Sequence, residues 1–510
     1  MAKCYIIAMG GTGCRVMRSF YHLSAAGAFN GYSFKFMCVD SDTANGDKGI
    51  LSETIVKYNN LNNYFHIFPE IALGGDGGFW SPLQNINDSM AQNLNSPMFS
   101  DDAKAVFNML YTPNEQEKTL SGGFYGHTSI GSFFMLKSII DDNGNYTETW
   151  HNFFGDIDPT EDKIFIIGSL FGGTGASGIP TLARIIHDNP STSTAKIGAM
   201  LVMPYFKMQN EKNDTANIDK IDWRLFTSKV QSALSFYEDQ NFNNTFQTMY
   251  FLGENKDKFM FVSNEPEGVA QRNKANHIEA LAAASVLDFM KVPLDSSFEI
   301  KMYRDKEADA QLFNTIDPGR NIYDLLVRFF AFSVVHTRYI NPAVIRHCGG
   351  EFKISEGWIT GYSISAEDSK TFFEYCLKYK EWIYEIIVNS KESGKFATIF
   401  SAEENTAGES CAGWLKANNY GGSTNYKELY YPSELPCEEK KGIFSKRATV
   451  IYNFSVLNCL ETVADTEMIR LKTVEQIINE LSVKSPDRKS DASAMIMLFH
   501  EICNTCIKEL

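Results

Sequence analysis

Lys163-Ile164-Phe165-Ile166-Ile167 is apolar almost throughout and leads, across Gly168, into Ser169-Leu170-Phe171-Gly172-Gly173-Thr174-Gly175-Ala176-Ser177-Gly178-Ile179-Pro180. A short apolar run of this kind reads as a strand buried on both faces, as at the centre of a parallel sheet. The segment from Ile179 to His187 reads as the helix that follows. Between strand and helix stand four glycines within seven residues. A plain turn does not need so many. Glycines let backbone N–H groups approach an anion, and the helix N-terminus adds positive potential. Thr174 can add a hydroxyl.

The same alternation extends outward. Tyr5-Ile6-Ile7-Ala8 reads as a first strand, Met9-Gly10-Gly11-Thr12-Gly13-Cys14-Arg15 as a glycine turn, and Gly13 to Ala26 as a helix. Phe34 to Val39 is a second strand. Residues 45–120 are rich in Asn and Gly and read as loops with short helices. Ile130 to Ile140 reads as a helix, Lys196 to Met203 as a strand and Trp223 to Glu238 as a helix. Thr248 to Leu252 is a further strand, and Asn276 to Met290 a long apolar helix. Alternation of this kind predicts an α/β fold with a doubly wound, mainly parallel sheet. Past residue 300 the pattern loosens. Ile322 to Tyr339 and Thr371 to Ser390 read as helices, Phe352 to Ser365 as strand-like, and residues 401–447 as a long surface excursion. The expected organisation is a first domain over 1–275, a central helix over 276–292, a second α+β domain over 293–400, and a loop-rich segment with a helical extension over 401–510.

The chain has 510 residues, with 47 basic and 62 acidic side chains and a net charge of −15. Hydrophobic residues make up 44%, enough for a large core and too many for wholesale disorder. The acidic balance argues against broad nucleic-acid binding, which needs basic faces. No stretch approaches the ~20 apolar residues of a membrane span, so a cytoplasmic location is expected. Ten cysteines in a chain of this length are no disulfide framework. Cys503 and Cys506 have CxxC spacing but no second pair nearby, and read as reduced thiols on a helix. No protein metal-ligand set is apparent.

Taken alone, the first glycine turn resembles a dinucleotide-binding fingerprint. Gly11 and Gly13 fit its first two glycines, and Val16 replaces the third. It is not a Walker A loop, because no Gly-Lys-Ser/Thr follows. Neither turn contains a lysine. Arg15, the nearest cation, is expected to point out of the first helical turn and away from a ligand.

The second turn carries a stronger resemblance. Gly-Gly-Thr-Gly followed by small residues is similar to the signature loop of the tubulin and FtsZ superfamily, with Pro180 on that loop's proline. Other segments follow the family's order. Gly10 to Gly13 resembles its first phosphate loop. Val39-Asp40-Ser41-Asp42-Thr43 is similar to its Asn-Thr-Asp segment. Gly123-Phe124-Tyr125-Gly126-His127-Thr128-Ser129-Ile130-Gly131 resembles its γ-phosphate loop, and Val202 to Phe206 its strand–Pro–Phe segment. Ala275-Asn276 opens the long helix where the family places a residue that reads the guanine edge. The match is closest to diverged bacterial tubulin-like proteins and covers roughly residues 1–295.

The resemblance implies a GTP- or GDP-binding protein with Mg²⁺. The implied nucleotide-binding residues are Gly10, Gly11, Thr12, Gly13, Asp40, Asp42, Gly126, His127, Thr128, Gly172, Gly173, Thr174, Gly175, Ala176, Ser177 and Asn276. Helix capping is the alternative role for Asp40, His127 and Asn276. The resemblance also implies head-to-tail self-association, with GTP hydrolysed where an acidic loop of one subunit meets the nucleotide of the next. That loop's pattern is missing, and Asp295, Glu299 and Asp317 are its candidates. Two other readings stand beside this one. One is a non-hydrolysing, nucleotide-bound scaffold or sensor that meets partner proteins through the C-terminal region. The other is a Rossmann-type NAD(P)/FAD oxidoreductase using Gly11, Gly13 and Asp40, which leaves the second turn unexplained.

Overall fold

The protein is described here from a computed structural model. The described residues are 2–304, apart from 41–45, 66–67, 84–87, 95–98, 118–119, 121–123, 125–127, 142, 209–222, 255–259 and 263–272, with several positions between 322 and 337 and the segments 351–354, 366–390, 437–441 and 450–454. Asp42, Gly126, His127 and Asp317 fall outside them, as do Cys503 and Cys506.

The strands are β1 (Lys3–Met9), β2 (Ser33–Val39), β3 (Ile71–Leu73), β4 (Phe79–Trp80), β5 (Lys163–Ser169), β6 (Lys196–Val202), β7 (Phe206–Met208), β8 (Thr248–Gly253), β9 (Met260–Val262), β10 (Glu299–Arg304), β11 (Glu351–Ile354), β12 (Cys437–Lys441) and β13 (Val450–Phe454). The helices are α1 (Gly10–Ala25), α2 (Gly46–Phe65), α3 (Met90–Leu94), α4 (Asp101–Leu110), α5 (Pro113–Gln116), α6 (Thr128–Ile139), α7 (Glu148–Phe154), α8 (Gly173–Asp188), α9 (Phe226–Asp239), α10 (His277–Lys291) and α11 (Ala366–Ser390).

Eight strands form one sheet in the order β10-β8-β6-β5-β1-β2-β3, with β4 also on β2. Every pairing in it is parallel. The centre is as apolar as expected, since β5 is buried over its whole length.

Register shows which helices cover which face. Cys4 pairs with Phe34, Ile6 with Phe165, and Phe165 with Gly198, so these residues share a face. α1 lies there, with Phe20 and Phe34 ring centroids 5.0 Å apart. So does α10, with Phe289 and Phe165 5.2 Å apart. The alternate residues face the other way. Tyr5 meets Phe153 of α7 at 5.6 Å, and a Cβ on Gly168 would stand 3.0 Å from Ile179 Cδ1 of α8. Helices therefore cover both faces, as the alternation predicts.

One expectation fails. Residues 45–120 hold the 20-residue helix α2, where loops and short helices are expected. Leu51, Ile55, Tyr58 and Leu61 are buried at helical spacing. Its four asparagines from Asn59 to Asn63 disguise that stripe. Two helices also begin earlier than expected, so the glycine turns are themselves first helical turns.

The chain divides into two compact units, one of Met1–Phe20, Gly31–Glu53 and Pro69–Glu307, the other of Tyr21–Asn30, Thr54–Phe68 and Ala308–Leu510. The first contains the eight-stranded sheet. The second has an aromatic core in which Trp382, Tyr379 and Tyr375 gather around His22, and Phe329 packs on Tyr379. It also holds a three-stranded sheet in the order β11-β13-β12. Among the described residues no helix is long and apolar enough to cross a membrane.

Candidate functional site

From β1 the chain steps outward to β2 and β3. It then returns to β5 on the other side of β1 and proceeds through β6, β8 and β10. The order reverses between β1 and β5. In open parallel sheets such a switch point opens a crevice at the carboxyl ends of the strands, where ligands bind. Both glycine turns leave from these two strand ends.

The two turns share the tetrapeptide Gly-Gly-Thr-Gly, at Gly10–Gly13 and Gly172–Gly175. The match is visible in the sequence and is easily missed in so long a chain. Its last glycine has one task in both. A Cβ on Gly13 would lie 2.8 Å from the Ala8 carbonyl carbon, and one on Gly175 would lie 2.5 Å from Ser169 O. Each lets a helix start hard against the strand before it. The first glycines differ. Gly10 has φ +68°, a left-handed conformation that favours glycine. Gly172 is the extended N-cap of α8. The turns touch each other, as a Cβ on Gly10 would stand 3.2 Å from Thr174 Cβ.

The crevice thus receives the N-termini of α1 and α8 from opposite faces. Neither helix has an acidic residue in its first turn, and neither does α6, which opens at Thr128. α6 packs closely on α8, where a Cβ on Gly131 would collide with Ser177 Oγ. The Ser177 hydroxyl donates to Gly173 O at 2.7 Å and so serves the helix itself. Asp40 is buried one residue past the end of β2, beside β1. Asn276 is the N-cap of α10, its Oδ1 accepting from Ile278 N at 2.9 Å. The capping role open in the sequence is therefore filled by Oδ1.

Arg15 departs from expectation. It is buried, and does not point outward. Nη1 donates to Asp47 Oδ2 and Nε to Glu279 Oε1, both at 2.8 Å. Nη2 donates to Tyr205 Oη at 2.8 Å and reaches Thr12 Oγ1 at 3.4 Å. Tyr205 Oη donates to Glu279 Oε1 at 2.7 Å. Burial alone would lower the guanidinium pKa, but Tyr205, Asp47 and Glu279 around it raise it well above its usual value. Burial raises the Glu279 carboxyl, with Arg15 pulling the other way. Local pattern could not reveal this cluster, because the partners lie 32, 190 and 264 residues away in the chain.

Asp295 and Glu299 are not brought to the crevice. Glu299 begins β10 and Asp295 precedes it, so both lie at the edge where strands start. Both are exposed. A strand of six or seven residues puts that edge about 20 Å away.

The donor set fits an anion held by backbone N–H groups and helix ends. Among the described residues no group of three or more His, Cys, Asp or Glu could hold a metal ion. Mg²⁺ would therefore need ligand oxygens and water, and Asp40, one residue past the end of β2, is a described carboxylate at this edge. Two concavities, of about 490 Å³ between α6, α8 and α9 and about 620 Å³ beside β3 and α7, include none of the turn glycines.

No protein-family model matches the chain, and no curated protein matches it. Among solved structures the chain is similar to CetZ from Methanosaeta thermophila strain DSM 6194. The identity is 11% and the TM-score 0.26, over 57% of this chain and 54% of that one.

Proposed function

We propose that the protein binds a nucleotide through its phosphates in the crevice between β1 and β5. The observation that carries this is the meeting of two helix N-termini, both without a first-turn acid, at the switch point of a parallel sheet. Gly10 to Gly13 and Gly172 to Ala176 hold the phosphates, and Thr12 and Thr174 contribute hydroxyls. Asp40 supports Mg²⁺, with Asp42, Gly126, His127 and Thr128 in the roles that the family resemblance gives them. Guanine as the base, read at Asn276, rests on that same resemblance.

The same reading extends to hydrolysis and assembly. Asp295 and Glu299 lie at the edge opposite the crevice, so within one copy they do not serve the nucleotide. Stacked head to tail, a second copy would present them to it, and such a heterologous contact propagates into a filament when its rotation does not close. The protein is on this reading a GTPase only when assembled.

The test is chromatography of the nucleotide released from acid-denatured protein, for the wild type and for Gly173→Asp with Thr174→Ala. The expected result is guanine nucleotide in the wild type and none in the variant. A nicotinamide or flavin would support the oxidoreductase reading instead. A site that stays empty with added GTP and Mg²⁺ would refute nucleotide binding. Bound GTP that is never hydrolysed at any protein concentration would favour the scaffold.

A further inference from the structure

Buried ion clusters are poor stabilisers. Desolvation offsets most of the mutual attraction, and apolar or neutral replacements of the whole cluster are often tolerated. The cluster around Arg15 therefore calls for a reason other than stability. Its connections supply one.

Glu279 divides its two oxygens. Oε1 receives Arg15 and Tyr205, while Oε2 accepts from the Asn276 backbone N at 3.0 Å. Asp47 does the same for the segment just before α10. It accepts from Asn273 N at 2.8 Å and from Asn273 Nδ2 at 3.0 Å. Both arms converge on one guanidinium, whose planar fork fixes direction as well as distance. The guanidinium also donates to Tyr205 Oη and reaches Thr12 in the first glycine turn at 3.4 Å. A capping box on its own needs only Asn276 and Glu279. Arg15, Asp47 and Tyr205 are additional, and together they join the first turn to the start of α10.

We propose that Arg15 is a positioning residue that holds Asn276 in register with Thr12, so that the base end and the phosphate end of the crevice act as one site. This rests on the nucleotide reading above. Without the cluster, the glycine turns still grip phosphates, but Asn276 no longer meets the base at a fixed distance from them. Arg15 then governs which base is chosen, while contributing little to phosphate affinity.

The test compares dissociation constants for GTP, ATP and inorganic triphosphate. The first variant combines Arg15→Met, Asp47→Asn and Glu279→Gln. It removes all three charges together, so none is left buried and unpaired, and glutamine still completes the capping box. The second is Tyr205→Phe, which removes one hydroxyl and stands as the test if the first does not fold. Thermal unfolding reports the fold of each. The expected outcome for the triple variant is a fall of about tenfold in the ratio of GTP to ATP affinity, the size of a typical coupling between sites. Triphosphate affinity stays within about threefold, below that coupling range. Tyr205→Phe gives a smaller fall in the same ratio. A merely structural role would lower the melting temperature and leave the ratio unchanged in folded protein, which overturns the inference. So does a wild type that binds GTP and ATP equally. A wild type that binds neither nucleotide refutes the functional reading, and the inference with it.

Discussion

At the edge where strands begin, the chain meets its own charges. Lys3 and Lys35 both donate to Asp156. Lys163 Nζ donates to the carbonyls of Phe289, Met290 and Val292, which closes the C-terminal end of α10. At the edge where β1 and β5 end, the charges Arg15, Asp47 and Glu279 pair with one another, and the two glycine turns beside them carry no acid. α2, α4, α5, α7 and α10 each carry an acid in the first turn, and α1, α3, α6, α8 and α9 carry none. A first-turn acid offsets the helix dipole. Asp47 and Glu279 at the crevice edge are taken up by Arg15, so the starts of α1 and α8 keep a positive potential that an anion can complete.

The strongest way to break this comparison is Gly175→Ala. Its Cβ would meet Ser169 backbone at 2.5 Å, so strand and helix must separate. The expected loss is at least about 3 kcal/mol in urea unfolding. A loss under 1 kcal/mol would mean that the turn yields easily. Gly173→Asp sharpens the comparison by giving α8 the acid it lacks. Nucleotide affinity should fall about 100-fold, or about 2.7 kcal/mol. Helix stability should hold or rise by roughly 0.5 kcal/mol. Joint loss of fold and binding would contradict the contrast.

The other edge responds through stability alone. Lys163→Met removes charged donors from the end of α10 and should cost about 2 kcal/mol, with nucleotide affinity unchanged. Burial lowers the Lys163 pKa, yet its carbonyl partners still hold the ammonium in place. Asp156→Asn gives the smallest effect. Burial raises the Asp156 carboxyl, but the hydrogen bonds from Lys3 and Lys35 outweigh that and hold it far below the ordinary value of 3.8. A depressed pKa contributes stability above the ordinary value, and that stability is lost as pH falls through the native one. Wild type should therefore exceed Asp156→Asn at neutral pH and converge with it in acid. The side chain is 52% exposed, so screening keeps the difference under about 1 kcal/mol. A gap that widens toward low pH would reverse the assignment.

The fold was legible where a residue's role is local. β5 and both glycine turns announce themselves, because a doubly buried strand must be apolar and a helix pressed on its own strand must begin with glycine. α2 was hidden because its polar face is asparagine, a residue that also marks turns. Arg15 was misread for another reason. The first turn of a helix is usually exposed, and only the return of Tyr205 and Glu279 from far along the chain buries it. The surroundings of Asp40 and Asn276 depend on pairings that no local pattern encodes.

α10 is fastened at both ends. Glu279 ties its first turn to Arg15, and Lys163 grips its last carbonyls. Its 15 residues span about 22 Å, the distance between the two edges of the sheet. A rod clamped at each end does not absorb a displacement by fraying. The two clamps therefore hold the edge beside Thr12 and the edge beside Asp295 at a separation set by the length of one helix.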